Sequence, residues 1–277
     1  MKNYLQSRSQ YIHHYTTIDK LALILNSGHI RCTRLDMVDD VEETKLYGDN
    51  NFASFIFVSC WTKTEEEHIP FWSMYSNHYQ GVRITLPRDF LFYKKYKTQS
   101  HRINKDGAKE TYSSEDFSAI PDRKYKTIDY LIYNTSFTPF PRFFDVKYTP
   151  NPQNSFSDNI SQPDENSIKI LGANFGTVKS DFWAFQEEVR IALTIFPSDL
   201  STEKGFQKIK ETLNDKRVSN YHLKYFDIPI DPKLLNNIKV TMGPKSGEGE
   251  KLIVESLLKK YAKNGTIEDS KLKGLIR

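Results

Sequence analysis

The spacing of apolar and polar positions changes several times along the chain, and each change marks an element. Residues 11–16, YIHHYT, read as a short strand, and Thr16 or Thr17 then caps a helix over 18–28 that Gly28 stops. His13 and His14 fall on opposite faces of that strand, so only one can face a cleft. A second strand, HIRCTR, occupies 29–34. The acidic run MVDDVEETKLYG reads as a helix start, where Asp39 and Asp40 suit the positive end of the helix dipole. Capping alone explains at least one of them. The most hydrophobic strand candidate is 54–61, SFIFVSCW. In 69–81, IPFWSMYSNHYQG, the residues Phe71, Trp72 and Tyr75 sit at helical spacing and Gly81 ends the segment. A strand over 82–86 closes at Pro87.

The chain's second half is less regular. Residues 88–142 are aromatic and basic with no sustained period, and read as irregular or partly helical. They form the larger part of an insertion at about 88–170 within a single domain spanning 1–277. A strand at 143–149 precedes a loop over 149–167 that is rich in Asn, Ser, Pro and Gln. A helical signal resumes over 166–175. Further on come a helix over 201–213, strands near 222–230 and 237–243, and an amphipathic helix over 250–262. Strands and helices mix without strict alternation, which points to an α+β fold.

One stretch stands apart, KSDFWAFQEEVRI at 179–191. If Val189, Ile191, Leu193 and Ile195 alternate on a strand, Gln186, Glu188 and Arg190 share its opposite face and Glu187 goes with the apolar set. A solvated edge strand whose charges discourage pairing is an equally good account of the pattern.

Composition narrows the class. With 277 residues, 38% hydrophobic and 13% aromatic, the chain can bury a full core and is too apolar to be disordered. It has no run of 18 apolar residues, and its N-terminus lacks the apolar core of a signal peptide, so no membrane span is expected and a cytoplasmic protein is. Cys32 and Cys60 read as small buried hydrophobes rather than a disulfide, and no metal is expected because no His partners stand at ligand spacing. The net charge of +4 is mild. It is partly local, since residues 239–277 hold nine Lys or Arg against five Asp or Glu, a solvated basic face before it is a phosphate-binding patch.

Six motifs in order carry a resemblance. HYT before a helix and an NSGHI turn, the acidic DDVEE, VSCW, W-x-x-Y before Gly81, K-x-x-x-W-x-x-Q-x-E-x-R and IKVTMGP together resemble a bacterial family known as domain of unknown function family 2971. That family resembles a divergent ADP-ribosyltransferase fold, a split antiparallel α+β scaffold with flanking helices and a cleft for NAD. The resemblance implies an NAD-dependent ADP-ribosyltransferase-like enzyme, or an NAD glycohydrolase, acting on a protein or nucleic-acid acceptor, as a toxin or anti-phage effector. It also admits an inactive module of the same fold that binds a nucleotide or partner, with the aromatic middle and basic tail contacting nucleic acid.

Residue by residue, the resemblance implies Glu188 as the catalytic glutamate with Gln186 orienting the nucleophile. His14, within His14-Tyr15-Thr16, would hold the ribose or phosphate of NAD. Ser59 would line the nicotinamide pocket, Trp72 or Tyr75 would pack against it, and His14 or Arg190 would neutralise the pyrophosphate. Family members mostly carry Glu where this chain has Gln186, which leaves the acceptor open. Each role has a plainer competitor. His14 also reads as a core histidine bonded to backbone, and Asp40 and Glu43 as a helix cap or as ion-pair partners of Arg31 or Arg34. Arg190 also reads as the charge that keeps Glu188 ionised.

Overall fold

The computed structural model describes residues 11–47, 51–92, 94–103, 109–118, 131–134, 143–155, 160–164, 167–170, 175–196, 203–214 and 223–277. The first half holds β1 (Tyr11–Thr16), α1 (Ile18–Ser27), β2 (His29–Arg34), α2 (Val41–Lys45), β3 (Ile56–Thr62), α3 (Ile69–Tyr75) and β4 (Val82–Pro87). Next come β5 (Lys94–Ile103), β6 (Lys109–Ser118), β7 (Leu131–Asn134), β8 (Phe143–Asp145), β9 (Lys147–Thr149), β10 (Ile160–Asp164) and β11 (Ser167–Ile170). The last third holds β12 (Val178–Ser180), β13 (Glu188–Phe196), α4 (Glu203–Asn214), β14 (Tyr225–Pro229), α5 (Pro232–Asn236), β15 (Lys239–Met242), α6 (Glu248–Tyr261) and β16 (Thr266–Asp269). Strands and helices alternate irregularly and the pairings are mostly antiparallel, so the fold is α+β.

The main sheet has two wings that meet at β3. In one wing β1 pairs along its whole length with β4, β4 with β15, and β15 in parallel with β16. In the other, β14 pairs with β2, and β13 pairs with β3 from Glu188 opposite Thr62 to Thr194 opposite Ile56. The free edge of β3 is shared unequally. β2 reaches it at Phe57 and Val58, and β1 reaches it at Thr62. Between them Ser59, Cys60 and Trp61 have no strand partner on that edge among the described residues, and the sheet forks open there.

Both faces of the fork are packed. Ile12, Ile56, Phe57, Val58, Trp61 and Ile191 belong to one large apolar core, against which α1 sets Leu21, Ile24 and Leu25. A smaller cluster, Tyr15 with Phe71 and Trp72, ties α3 to β1, with Tyr15 stacked on Phe71 at 4.9 Å. Every residue of β13 is buried. It runs between β3 on one side and β7 and β8 on the other, so it is interior and not a charged edge strand.

Several expectations are corrected. Residues 94–103 and 109–118 pair as antiparallel strands, not helix, and their largely polar sequence carries no apolar period to announce a strand. The helical signal over 166–175 gives way to β11, a four-residue strand too short for its period to be read. The expected loop over 149–167 contains a 3-10 turn at Pro152–Ser155 and β10. Residues 88–142 are otherwise in part outside the described residues. Thr17 occupies the N-cap of α1 but its side chain makes no capping bond.

After α3 the chain makes an uncommon turn. Asn77, His78 and Tyr79 all take positive φ, at 48°, 53° and 75°. Left-handed backbone in such residues costs roughly 1–2 kcal/mol each, so the turn must be held from outside. The Tyr79 N–H donates to Trp72 O, and Tyr79 O accepts from Lys245 N–H, both at 3.1 Å. Gly81 closes the turn because nothing larger fits: a Cβ there would lie 2.3 Å from Thr16 O. Gly81→Ala should therefore destabilise the protein by about 1–3 kcal/mol in urea unfolding. Gly249→Ala, in the first turn of α6 with open space around it, should stabilise it by about 0.4–1 kcal/mol.

Candidate functional site

A cleft of about 390 Å³ opens at the fork. β1, α1, β2, β3, α3 and β13 all contribute to its lining, along with the 3-10 helix Asp181–Gln186. Of the residues singled out by sequence, His14, Tyr15, Ser59, Tyr75, Gln186 and Glu188 line it together. Trp72 and Arg190 do not.

Gln186 and Glu188 come together by a different route from strand alternation. β13 starts at Glu188, Gln186 ends the 3-10 helix, and Glu187 between them is left-handed at φ 40°. That reversal, not a pleat, turns both flanking side chains inward while Glu187 stays exposed to solvent. Its carbonyl accepts from Lys63 N–H at 3.2 Å, which fixes the turn to the end of β3.

Beneath the cleft lies a buried ion network. Arg190 spends all five N–H donors. Nε donates to Glu188 Oε1 at 2.6 Å and Nη2 to Glu188 Oε2 at 3.1 Å. Nη1 and Nη2 donate to Glu43 Oε1 and Oε2 at 2.6 and 2.8 Å. The last N–H goes to Gly176 O at 3.0 Å. Arg190 is therefore a clamp on two carboxylates, with no donor left for a pyrophosphate. Glu43 pairs with it and not with Arg31 or Arg34, which bind Asp227 and Asp36.

Lys179 adds a second cation, 3.5 Å from Glu188 and 3.9 Å from Glu43, so two positive charges face two negative ones. Burial by itself raises the Glu188 carboxyl, but the charges of Arg190 and Lys179, with hydrogen bonds from Arg190 and the Cys60 thiol, outweigh it and hold it below the ordinary glutamate value. Burial dominates at Glu43 and raises it. Gly176 permits the clamp. It takes φ +71° and approaches β3 so closely that a Cβ would lie 3.0 Å from Val58 Cγ1.

A second chain of hydrogen bonds leads outward. Lys179 Nζ donates to Gln186 Oε1 at 2.9 Å, Gln186 Nε2 donates to Tyr75 Oη at 2.8 Å, and Tyr75 Oη–H donates to Asp39 Oδ2 at 2.7 Å. An ammonium only donates and a carboxylate only accepts, so the direction of each bond and the orientation of the Gln186 amide are settled.

His14 stands at the fork. Its Nδ1 lies 2.9 Å from Cys60 O, one of the carbonyls on the strand edge left open. A carbonyl accepts, so Nδ1 carries the proton and Nε2 remains an acceptor. Burial lowers the His14 pKa and keeps the ring neutral. His13 also lines the cleft but is bonded toward β4, its Nδ1 2.8 Å from Thr85 Oγ1, and burial takes its pKa down to about 3. Ser59 is buried, its Oγ accepting from Trp61 Nε1 at 3.1 Å. The register places Ser59 opposite Ile191 and Cys60 opposite Arg190, so Ser59 lies on the face of β3 away from Glu188. Trp72 is fully buried, with Nε1 bonded to Glu67 and its ring edge-on to Tyr15; it backs the wall and does not reach the cleft.

Sequence reasoning missed several members. Lys179 opens the K-x-x-x-W-x-x-Q motif yet had no role assigned to it, and Tyr148, whose hydroxyl accepts from Glu188 N–H at 2.9 Å, had no signal at all. Cys60 is not an inert core thiol, since it lines the cleft against Glu188. Asp40 is the helix cap that its position indicated, accepting from Glu42 N–H at 3.0 Å. The clamp makes a direct prediction. Arg190→Met strands two buried carboxylates and should cost about 3–5 kcal/mol of stability, read from urea unfolding. Glu43→Gln in that background should recover part of the loss.

Among the described residues no helix is long and apolar enough to cross a membrane. No curated protein and no solved structure matches the chain. A family model does. Residues 71–191, the span that runs from α3 to β13 and contains Tyr75, Lys179, Gln186, Glu188 and Arg190, match the family described as "Protein of unknown function (DUF2971)".

Proposed function

We propose that the cleft binds NAD and breaks its nicotinamide N-glycosidic bond, passing ADP-ribose to a macromolecular acceptor or to water. The observation that carries this reading is Glu188, an ionised carboxylate at the lining of a cleft, fixed through both oxygens by Arg190 and Lys179. Departure of nicotinamide leaves positive charge on the ribose C1′, and a preorganised carboxylate is the group that such a cation needs. Glu43 balances one of the two nearby cations, so Glu188 keeps its charge for the substrate. Nicotinamide leaves as a neutral molecule, which asks for no strong acid, and the Tyr75 phenol and Cys60 thiol are held protonated.

Other features fit the same ligand. His14 Nε2 offers an acceptor to a ribose hydroxyl. The pyrophosphate role implied for Arg190 passes to Lys20 on α1 and Arg31 on β2, two cations that line the cleft. Tyr15, stacked on Phe71, supplies an aromatic wall with Tyr75. The fork between β1 and β2 also suits the split sheet of an ADP-ribosyltransferase-like scaffold.

A second reading has its own support. Both Glu188 oxygens are engaged within the protein, which equally suits a module that binds a nucleotide without turning it over. Purified protein incubated with labelled NAD, alone and with lysate, should release nicotinamide or label a product, and Glu188→Ala should lower that rate by about 10²–10³-fold. Absence of both turnover and NAD binding removes the reading. Nucleotide binding by calorimetry that survives Glu188→Ala, with no turnover in either protein, selects the binding module.

A further inference from the structure

Of the adjacent acids Asp39 and Asp40, the helix α2 accounts for only one. Asp40 is buried and caps it. Asp39, one residue earlier, is exposed at the mouth of the cleft and caps nothing. Its Oδ2 accepts from the Tyr75 hydroxyl at 2.7 Å. Oδ1 has no hydrogen-bond partner among the described residues. Burial first, then the hydrogen bond and charge of Asp39, push the Tyr75 phenol up, so it stays a donor and keeps Asp39 oriented.

An acceptor hydroxyl or water that attacks C1′ must lose a proton, and few groups here are able to take it. Glu188 has both oxygens held by Arg190 and Lys179. His14 donates through Nδ1 to Cys60 O and gives Nε2 to the ribose hydroxyl in the reading above, and His13 is bonded through Nδ1 to Thr85 with its pKa taken down to about 3 by burial. Lys20, Arg31 and Lys179 are cations. Cys60, Tyr15 and Tyr75 are pushed up, chiefly by burial, and remain protonated. Gln186 has no basic site. Among the described residues lining the cleft, Asp39 remains.

We propose that Asp39 is the proton acceptor of the transfer step and Tyr75 its positioning residue, a division of labour in which Glu188 serves the departing nicotinamide and Asp39 the arriving nucleophile. The inference rests on the NAD reading above. The C1′–N bond breaks with its electron pair leaving on nicotinamide, the acceptor oxygen forms the new bond to C1′, and the acceptor's proton passes to Asp39 Oδ1. Position matches role. The carboxylate inside the cleft meets the buried end of the substrate, and the carboxylate at the mouth meets what comes from solvent.

The two steps are separable by nicotinamide exchange. Protein, NAD and labelled nicotinamide are incubated with lysate, and labelled NAD is followed beside free and transferred ADP-ribose. Exchange requires bond breaking and its reversal but no base. Asp39→Asn should lower product formation by about 10²–10⁴-fold while exchange stays within several-fold of wild type, and Tyr75→Phe should show the same split in smaller measure. NAD affinity by calorimetry, unchanged in Asp39→Asn, establishes that the variant is folded. A parallel fall of exchange and product, or product formation that persists in Asp39→Asn, overturns the assignment to Asp39 alone. Wild-type protein that neither exchanges nor forms product overturns the NAD reading and this inference with it.

Discussion

The guanidinium of Arg190 is the constraint on which the site depends. It is buried with both of its acidic partners, and each of its five donors has an acceptor: four on carboxylates and one on the Gly176 carbonyl. Desolvating three charges is costly, and only complete pairing offsets it. The clamp therefore fixes more than Glu188. It joins α2 to β13, 147 positions further on, and to the segment before β12, and it requires a glycine at 176 because the backbone there is left-handed and pressed against β3. Lys179 completes the charge balance, and through Gln186 and Tyr75 the same network reaches the cleft mouth.

The fork in the sheet supplies the space for that network to face. β1 and β2 both claim the free edge of β3, one at each end, and neither covers Ser59 to Trp61. Open strand edges are normally paired or covered. Here a histidine ring does part of that work, with His14 donating to Cys60 O. The plain account of His14 as a histidine bonded to backbone and the account of it as a cleft residue are thus both true, because satisfying the backbone with one nitrogen frees the other as a defined acceptor.

The site was legible in sequence unevenly. Gln186 and Glu188 were found as a pair, yet the pleat proposed to align them does not exist there; a left-handed Glu187 does that work, and non-glycine residues give no sign of positive φ. Arg190 carried two readings, and the clamp on Glu188 is the one its contacts bear. Trp72 lay on the correct helix but faces the Tyr15 cluster, since helical spacing gives a stripe without saying what the stripe touches. The antiparallel pair of 94–103 with 109–118 was missed because strand pairing can be local and polar, and then no hydrophobic period records it.

By itself the chain's pattern determined the element types with strong periods: α1, β2, β3, β4, α6 and the apolar alternation of β13. These are local matters, decided by which face of a short segment must leave water. The partners of the charged residues were decided only by the tertiary fold. Glu43 meets Arg190 across 147 positions and Tyr75 meets Gln186 across 111. An ion pair depends on distance in space, and no local rule sets that distance. The sequence held the acids and bases of this cleft in plain view, but the fork of β3 and the turn at Glu187 alone decided which of them stand together.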